Sequence, residues 1–334
     1  MTPHPQQLGI IGAGAWGTAL ANTAARNGGE VLLWSYEPEV AADINAVHEN
    51  RKYLPGIALA PNIRAVTDLA ETAACEIVLL VTPAQASRGI AERLSGHLTP
   101  GTPVVICSKG IEISTGYLLS QVLAEALPEA EPMVLSGPSF AGEVANGLPT
   151  AVTLAAADRH LCEPVAERLS GPAFRLYSSD DVIGAEVGGA VKNVLAIACG
   201  IVEGRRLGHN ASAALTARGF AEMTRLAVKL GARRETLSGL SGLGDLILTC
   251  GSRQSRNMSL GAAIGEGQSL EQIMAARQTV SEGVHTAQVI MKLAEAHEVE
   301  MPISAAVSAI LHEGRSLDEV ITGLLNRPRK SEHV

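Results

Sequence analysis

The sequence predicts the α/β fold class, with a parallel-sheet domain followed by an all-α domain. Short apolar runs alternate with helical runs in the first half of the chain, and the first apolar run leads directly into a glycine-rich loop. From about Asp181 onwards the alternation ends and helical periodicity takes over. We therefore expect a Rossmann-type domain over residues 1–180 and an all-helical domain over residues 181–334.

The glycine-rich loop has the spacing of a dinucleotide-binding motif. Gly12-Ala-Gly-Ala-Trp-Gly17 directly follows an apolar strand at Leu8–Ile11 and precedes a helical run. Gly12 would allow the tight turn, Gly14 the close approach of a pyrophosphate, and Gly17 the packing of the helix on the sheet. The sequence therefore predicts that residues 1–180 bind a dinucleotide at a helix N-terminus, where free N–H groups face the phosphates.

Further apolar runs predict the other strands of a parallel sheet that helices cover on both faces. Ligands of such sheets bind beyond the carboxyl ends of the strands. The polar segments Thr82-Pro83, Ser108–Gly110 and Ser136–Phe140 follow three of these ends. Lys109 could bind an anion there, or it could be a solvated loop lysine. The predicted strands are Leu8–Ile11, Glu30–Trp34, Ile63–Val66, Glu76–Val81, Val104–Cys107, Met133–Leu135, Thr150–Ala155 and Phe174–Tyr177.

The second half of the chain is predicted to be helical. Its first helix, within Asp181–Glu203, carries Lys192 as the only charge between Glu186 and Glu203. Six residues that lie three, four, seven or eight positions from Lys192 are small, which indicates that another group approaches this face closely: Ala185, Gly188, Gly189, Ala196, Cys199 and Gly200. That group could be a second helix, with the lysine reaching water, or a bound ligand. The later helices are predicted at Ser212–Leu230, Leu270–Arg277, Thr286–His297, Ala305–Glu313 and Leu317–Leu325.

Composition excludes several classes of function. The net charge of −8 and the pI near 5.6 have the wrong sign for a nucleic-acid binder or a protein that binds anionic membranes. The five cysteines form no Cys-x-x-Cys pair, which favours reduced thiols in a cytoplasmic protein over a disulfide framework or a metal site. The first apolar run is short and broken by glycines, so neither a signal peptide nor a membrane span is expected.

Two polar segments of the second half are candidates for chemistry. Asp245 stands in the glycine-rich turn Gly239–Leu246, where a helix cap would explain it as readily as catalysis. Ser255-Arg-Asn257 places a guanidinium between two short hydrogen-bonding side chains, a suitable anion clamp. Combined with Lys192 and a dinucleotide fold, these residues predict reduction of a phosphorylated carbonyl compound.

The sequence resembles the bacterial-type NAD(P)-dependent glycerol-3-phosphate dehydrogenases. The resemblance runs from the glycine loop to about Thr286. It implies reversible hydride transfer between NAD(P)H and dihydroxyacetone phosphate, giving sn-glycerol 3-phosphate for phospholipid synthesis, in a cytoplasmic homodimer. The motifs are GAGAWG at 12–17, RKYLP at 51–55, SKG at 108–110, SGPSFAGEV at 136–144, VKN at 191–193, GLGDL at 242–246, SRN at 255–257 and EG at 282–283.

The resemblance also implies roles for individual residues. Lys192 would be the acid/base residue, with Asp245 beside it. A cation at the carbonyl oxygen stabilises the negative charge that develops there during hydride transfer. The implied substrate-binding residues are Lys109, Gly137, Ser139, Lys192, Asp245, Thr249, Ser255, Arg256 and Asn257. The implied cofactor-binding residues are Gly12, Gly14, Ala15, Trp16, Gly17, Tyr36, Tyr53, Lys109, Ala141, Arg256, Val280 and Glu282.

Two departures from the family pattern bear on the cofactor. Ala15 replaces a common serine, and Tyr36 stands where members that use NADPH often have Arg or His. Glu37 lies about 20 positions beyond the glycines, where a carboxylate accepts hydrogen bonds from a 2′-hydroxyl and repels a 2′-phosphate. If the second strand ends at Ser35, Glu37 would instead turn to solvent, and Arg51 or Lys52 could neutralise a phosphate. We expect the chain to use both NAD and NADP.

Two other functions are compatible with part of these observations. The chain could reduce a different small 2-keto compound, but an unphosphorylated substrate would leave the Ser255–Asn257 clamp without its anion. It could also be a dinucleotide-binding sensor without turnover. A sensor, however, requires neither a lysine on a bare helical face nor an anion clamp.

Overall fold

The computed structural model describes residues 7–276, 281–328 and 331. Contacts along the backbone divide the chain into two compact units. The first consists of Met1–Gly189 and Gly231–Asp245, and the second of Ala190–Leu230 and Leu246–Val334.

An eight-stranded sheet forms the first unit, in the order β3-β2-β1-β4-β5-β6-β7-β8. Every predicted strand is present with small shifts at its ends, which confirms the predicted fold class. The strands are β1 (Leu8–Ile11), β2 (Val31–Trp34), β3 (Ile63–Val66), β4 (Ile77–Leu80), β5 (Pro103–Ile106), β6 (Glu131–Ser136), β7 (Thr150–Ala156) and β8 (Phe174–Ser179). The helices up to β8 are α1 (Ala15–Arg26), α2 (Pro38–Val47), α3 (Leu69–Ala73), α4 (Ser87–Leu94), α5 (Leu119–Ala126), α6 (Ala141–Ala145) and α7 (Cys162–Leu169).

One strand pair departs from the predicted parallel arrangement. β7 runs antiparallel to β6, with Met133 opposite Ala156 and Ser136 opposite Thr153. The connection between these strands contains only the five-residue helix α6. Five helical residues rise about 7.5 Å, whereas the six residues of β6 extend about 20 Å. The chain therefore turns back along β6 instead of crossing the sheet to start a parallel strand.

Alternate residues of the strands enter two separate hydrophobic clusters. Leu8 and Ile10 of β1 belong to one cluster, and Ile11 belongs to the other. Likewise Leu79 of β4 and its neighbour Leu80 lie in different clusters. Since successive side chains of a strand point to opposite faces, both faces of the sheet are covered, as the apolar strands predicted.

The remainder of the chain is helical. Three helices were not predicted as such: α10, which has only four residues, and α11 and α12, whose sequences begin with residues that we interpreted as turn or ligand-binding residues. The helices are α8 (Val182–Gly204), α9 (His209–Lys229), α10 (Arg234–Leu237), α11 (Asp245–Cys250), α12 (Arg256–Gly265), α13 (Leu270–Ala275), α14 (Glu282–Ala296), α15 (Pro302–His312) and α16 (Leu317–Leu325). A π-helical turn at Leu240–Gly244 precedes α11.

The small residues of α8 are explained by close backbone packing. In the second unit, a Cβ atom at Gly200 would overlap the carbonyl oxygen of Met258 in α12, and a Cβ at Gly261 would overlap that of Ile197. In the first unit, a Cβ at Gly188 would lie 2.5 Å from the carbonyl oxygen of Ser241. Of the two alternatives for these glycines, packing against protein is therefore the correct one.

By length and composition, α8 could also cross a membrane. It has 23 residues with a mean hydropathy of 1.5 over the most apolar window, and 89% of that window is buried inside the protein. A buried core helix of a soluble protein has the same properties, so the length and composition of α8 are weak evidence for a membrane span.

Candidate active site

The three glycines of the loop after β1 have the conformations that a dinucleotide site requires. Gly12 has φ +122°, and a Cβ there would lie 2.7 Å from the carbonyl oxygen of Val81. A Cβ at Gly17 would overlap the carbonyl oxygen of Gly12. A Cβ at Gly14, in contrast, would meet no heavy atom within 4 Å. Two glycines are thus needed by the protein itself, and the third leaves space above the backbone.

The open position coincides with the start of α1. Gly14 is the N-cap residue of this helix, and no side chain of the described residues caps it. The first N–H groups of a helix have no partner within the helix, and the helix dipole favours negative charge at that end. An open backbone at an uncapped helix N-terminus fits the pyrophosphate of a dinucleotide.

Four of the predicted cofactor residues pack against one hydrophobic cluster of the first unit. They are Ala15, Trp16, Tyr53 and Ala141. The indole nitrogen of Trp16 and the hydroxyl of Thr82, which follows β4, are buried and have no hydrogen-bond partner within the described residues. Buried polar groups are normally hydrogen-bonded, so these two atoms fit a bound molecule that supplies partners.

The end of β2 carries a cluster of charged and phenolic groups. The strand ends at Trp34, and the carboxylate of Glu37 accepts hydrogen bonds from Lys52 Nζ and, at 2.7 Å, from the Tyr53 hydroxyl. These two donors lower the pKa of Glu37, the lysine more than the phenol. Burial, followed by the bond to Glu37, raises the pKa of Tyr53. Tyr36 is 81% exposed. Glu37 is therefore held by Lys52 and Tyr53, although 28% of its side chain remains exposed.

Lys109 and Asp245 form a buried ion pair in the first unit. The Lys109 ammonium lies 2.7 Å from a carboxylate oxygen of Asp245 and donates a 2.9 Å hydrogen bond to the carbonyl oxygen of Gly137. Ser139 Oγ donates to the same carbonyl at 3.0 Å. The side chain of Asp245 is only 1% exposed. Four of the predicted substrate residues are thus brought together, and the interpretation of Lys109 as a solvated lysine is wrong.

Lys192 is buried in the second unit. Lys192 is only 6% exposed. Its ammonium donates a 2.8 Å hydrogen bond to the hydroxyl of Thr249 in α11. The alternative in which the lysine reaches water is therefore wrong. A buried ammonium is costly without partners, and Thr249 is one partner that fixes its direction.

The Ser255–Asn257 segment forms the start of α12. Ser255 is the N-cap residue, and its hydroxyl accepts a hydrogen bond from Met258 N. The amide oxygen of Asn257 accepts a 3.1 Å hydrogen bond from Gly283 N in α14. Arg256, the first residue of α12, is exposed. The two short side chains thus build the segment, and the arginine stands at a helix N-terminus, where an anion is favoured.

The glycine of the Glu282-Gly283 motif is required by close packing. A Cβ at this position would lie 2.7 Å from the carbonyl oxygen of Asn193 and 2.8 Å from the amide oxygen of Asn257. The glycine after Glu282 is therefore needed for packing, and Glu282 itself is the first residue of α14. Val280, a predicted cofactor residue, lies outside the described residues.

Sequence analysis missed Asn50, and it gave no individual role to Thr82 and Ser136, which it had placed at strand ends. Asn50 is 1% exposed and donates 2.8 Å hydrogen bonds to the Ala13 carbonyl oxygen and the Thr18 hydroxyl. The hydroxyls of Thr82 and Ser136 are buried without a partner in the described part of the chain. Their position directly at strand ends was the available signal for the two hydroxyl residues. Asn50 carried none, because the two groups to which it donates are more than 30 residues away.

With Gly14 open at the start of α1, the first unit is a dinucleotide-binding domain of the Rossmann type. Two family profiles cover most of the chain. The NAD-dependent glycerol-3-phosphate dehydrogenase N-terminus matches residues 7–162, and the C-terminus of the same family matches residues 181–322. The chain belongs to the NAD-dependent glycerol-3-phosphate dehydrogenase family, which confirms the resemblance inferred from the motifs.

Individual relatives agree over the full length. A glycerol-3-phosphate dehydrogenase [NAD(P)+] from Parvibaculum lavamentivorans is 57% identical over 99% of this chain and 100% of its own. The enzyme of that name from Hyphomonas neptunium is 56% identical over 100% of this chain and 99% of its own. The crystal structure of glycerol-3-phosphate dehydrogenase from Coxiella burnetii has a TM-score of 0.93 at 41% identity, covering 97% of this chain and 100% of that one.

Proposed function

We propose that this chain is an NAD(P)-dependent sn-glycerol-3-phosphate dehydrogenase, which interconverts dihydroxyacetone phosphate and sn-glycerol 3-phosphate. The observation that carries the proposal is the buried ammonium of Lys192, held by Thr249 in a protein with a dinucleotide-binding glycine loop. The family to which the chain belongs and the names of its full-length relatives support the same reaction.

Lys192 is the acid/base residue of this proposal. When bound, the nicotinamide cofactor supplies the hydride that is transferred to the ketone carbon. Negative charge then develops on the ketone oxygen, and the ammonium of Lys192 stabilises this charge and donates a proton to the oxygen. The hydrogen bond to Thr249 keeps the ammonium in one direction, so little reorganisation is needed during the reaction.

Asp245 is the second catalytic residue of the proposal, and it also positions Lys109. The buried carboxylate fixes the Lys109 ammonium, which also donates to the Gly137 carbonyl. We assign Lys109 and Arg256 to the anionic substrate, because both are cations and because Arg256 stands at a helix N-terminus. The other substrate residues of the proposal are Gly137, Ser139, Thr249, Ser255 and Asn257.

The cofactor site of the proposal is built on the glycine loop. Gly12, Gly14 and Gly17 form the turn, and Gly14 leaves the space that the pyrophosphate occupies. Trp16 and Thr82 supply buried hydrogen-bonding atoms beside it. The further cofactor residues of the proposal are Ala15, Tyr36, Tyr53, Lys109, Ala141, Arg256, Val280 and Glu282.

The biological setting belongs to the same proposal. Residues 1–180 bind the dinucleotide, and residues 181–334 carry the catalytic lysine. The product serves phospholipid synthesis, and the enzyme is a cytoplasmic homodimer without membrane insertion. The net charge of −8 is consistent with a protein that does not bind anionic membranes or nucleic acid.

The proposal is tested by following nicotinamide absorbance on addition of dihydroxyacetone phosphate. We expect turnover with this substrate, and little with unphosphorylated dihydroxyacetone at the same concentration. Equal rates with the two ketones would contradict the assignment of the anion-binding residues. Binding of NADH without turnover of either ketone would contradict the assignment as an enzyme.

A further inference from the structure

The cluster at the end of β2 consists of one carboxylate, one ammonium and one phenol. Glu37 accepts hydrogen bonds from Lys52 on one oxygen and from Tyr53 on the other. The Lys52 ammonium also lies 5.3 Å from the centre of the Tyr53 ring. We call Glu37, Lys52 and Tyr53 the strand-end cluster. Its formal charge is zero, since the carboxylate and the ammonium offset each other.

Hydrogen bonds hold the strand-end cluster beside the glycine loop. Gly12 N donates to the carbonyl oxygen of Trp34, the last residue of β2, at 3.0 Å. On the other side, Asn50 donates to the Ala13 carbonyl oxygen at 2.8 Å, and its own amide oxygen accepts from Tyr53 N at 3.1 Å. Both segments that supply the cluster are thus tied to the loop whose open position is Gly14.

We propose that Glu37 and Lys52 are the residues that determine which nicotinamide cofactor is bound, with the carboxylate binding an adenosine 2′-hydroxyl and the ammonium binding a 2′-phosphate. This inference rests on the proposed cofactor site at the glycine loop. It goes further by identifying Lys52, outside the implied cofactor residues, as the group that makes the 2′-phosphate acceptable.

The chemistry of the two groups suits these different substituents. A carboxylate has about four lone-pair directions, so Glu37 can accept a hydrogen bond from a ribose hydroxyl while Lys52 and Tyr53 remain bound to it. A 2′-phosphate would be repelled by a carboxylate alone. An ammonium has three donors on a flexible stem, and the Lys52 side chain is 42% exposed. It can therefore contact Glu37 and a phosphate together.

The neighbouring cation is engaged elsewhere. Arg51 precedes Lys52 in the chain, and its guanidinium lies 3.3 Å from Asp43 and 3.7 Å from Glu49. Arg51 thus carries the same charge as Lys52 but is paired with carboxylates outside the strand-end cluster. Arg51→Met is consequently the matched comparison for Lys52→Met, because both substitutions remove one positive charge from adjacent positions.

The test measures dissociation constants of NADH and NADPH by titration calorimetry, without substrate. For Lys52→Met we expect NADPH to bind about tenfold more weakly, the size of one hydrogen bond to a charged group. NADH should change by less than about threefold, as expected for loss of an exposed ion pair. Glu37→Gln should weaken NADH and strengthen NADPH. Arg51→Met should leave the ratio of the two constants unchanged.

Two results would overturn the inference. The first is a Lys52→Met variant in which the ratio of the NADH and NADPH dissociation constants equals that of the wild type. The second is an Arg51→Met variant in which this ratio changes as much as it does in Lys52→Met. The pair 5′-AMP and 2′,5′-ADP serves as a further probe, since these fragments differ only in the phosphate. Only 2′,5′-ADP should lose affinity in Lys52→Met, and this loss should shrink at high salt.

A third variant separates the inference from the proposed cofactor site. Gly14→Val places a side chain in the open space of the glycine loop and should abolish binding of NADH and NADPH alike. If Gly14→Val binds both normally, the proposed cofactor site and the inference built on it are both wrong. If Gly14→Val fails to bind while Lys52→Met keeps the wild-type ratio, only the assignment of Lys52 and Glu37 is wrong.

Discussion

The ammonium of Lys192 donates a 2.8 Å hydrogen bond to the hydroxyl of Thr249, and both residues are buried. A lysine on a helix without another charge nearby in sequence has many rotamers. The threonine selects among them, because only rotamers that bring the ammonium to its hydroxyl form this hydrogen bond. The candidate catalytic group is therefore positioned before any substrate arrives.

Replacing Lys192 is expected to abolish turnover. Lys192→Met keeps most of the side-chain volume but removes the charge and the proton, and a general acid contributes about 10²–10⁴ in rate. Lys192→Ala should lose at least as much. Both variants should remain folded and still bind NADH, which circular dichroism and calorimetry would check. A kcat near the wild-type value in either folded variant would remove Lys192 from the mechanism.

Thr249→Val should lower kcat less than the loss of Lys192 does. The substitution removes one hydroxyl of similar size, so the ammonium remains but is less well oriented. Hydrogen bonds to charged groups contribute about 1.5–3 kcal/mol, so kcat should fall roughly ten- to a hundredfold. Steady-state kinetics with dihydroxyacetone phosphate measure this effect. A loss equal to that of Lys192→Met would give Thr249 a larger role than orientation.

Arg256→Ala is expected to raise the KM for dihydroxyacetone phosphate about ten- to a hundredfold, because hydrogen bonds to charged groups contribute about 1.5–3 kcal/mol. The KM for the cofactor should be recorded too. Arg253→Ala is the control, since Arg253 is an exposed arginine of the same segment that pairs with Glu203 and Glu266. If both variants change the substrate KM equally, the phosphate is bound elsewhere.

Tyr36→Arg should shift preference towards NADPH. Because Tyr36 is exposed, the substitution should leave the free energy of unfolding almost unchanged, although it removes an edge contact with the Trp34 ring. A guanidinium there would attract a 2′-phosphate. The ratio of kcat/KM for the two cofactors, in wild type and variant, measures the shift. A wild type that already rejects NADH by about a hundredfold would contradict the expectation that both cofactors are used.

Glu186→Gln should make stability less sensitive to pH. Glu186 accepts hydrogen bonds from the backbone and hydroxyl of Ser120, and burial raises its pKa to about 7. Below about pH 4.5 the acid is neutral in the folded and unfolded states, and its protonation costs nothing. Between about pH 4.5 and pH 7, the carboxyl of Glu186 ionises freely in the unfolded state. In the folded state it must either keep its proton or become a buried charge, and both lower the stability of the folded state. The wild type therefore loses stability across this window.

Denaturant unfolding of wild type and Glu186→Gln at pH 5 and pH 8 measures the difference. The free energy of unfolding of the variant, relative to that of the wild type, should rise by up to about 3 kcal/mol between pH 5 and pH 8. Comparing the two proteins at each pH cancels the titration of all other groups. A constant difference in the free energy of unfolding would show that Glu186 does not titrate in this range.

The sheet could be predicted from the sequence because its signals are local. Each strand is an apolar run of a few residues, and the loop from Gly12 to Gly17 has a fixed spacing. The antiparallel β7 could not be predicted, because its direction depends on the length of α6. Helix α12 was missed since Ser255 and Asn257 were interpreted only as ligands of an anion, and their contribution to capping and anchoring the helix was not recognised.

The main part of the candidate site that could not be predicted consists of side-chain pairs whose members are distant in sequence. Lys109 and Asp245 are separated by 136 positions, and their ion pair exists only because the fold brings the loop after β5 to the first residue of α11. Sequence patterns identified both residues separately. The Glu37–Lys52 pair was likewise considered as two alternative partners of the cofactor, and their bond to each other was not foreseen.

Glycine has no rotamers, so the separation of α8 and α12 at Gly200 and Gly261 is set by main-chain atoms alone. Side chains in this part of the protein can exchange conformations without moving one helix away from the other. Lys192 lies on α8 about two turns before Gly200. The position of the Lys192 main chain is therefore set by the backbone, while Thr249 orients its amine, and substitutions elsewhere in the surrounding core should reduce melting temperature before they reduce kcat.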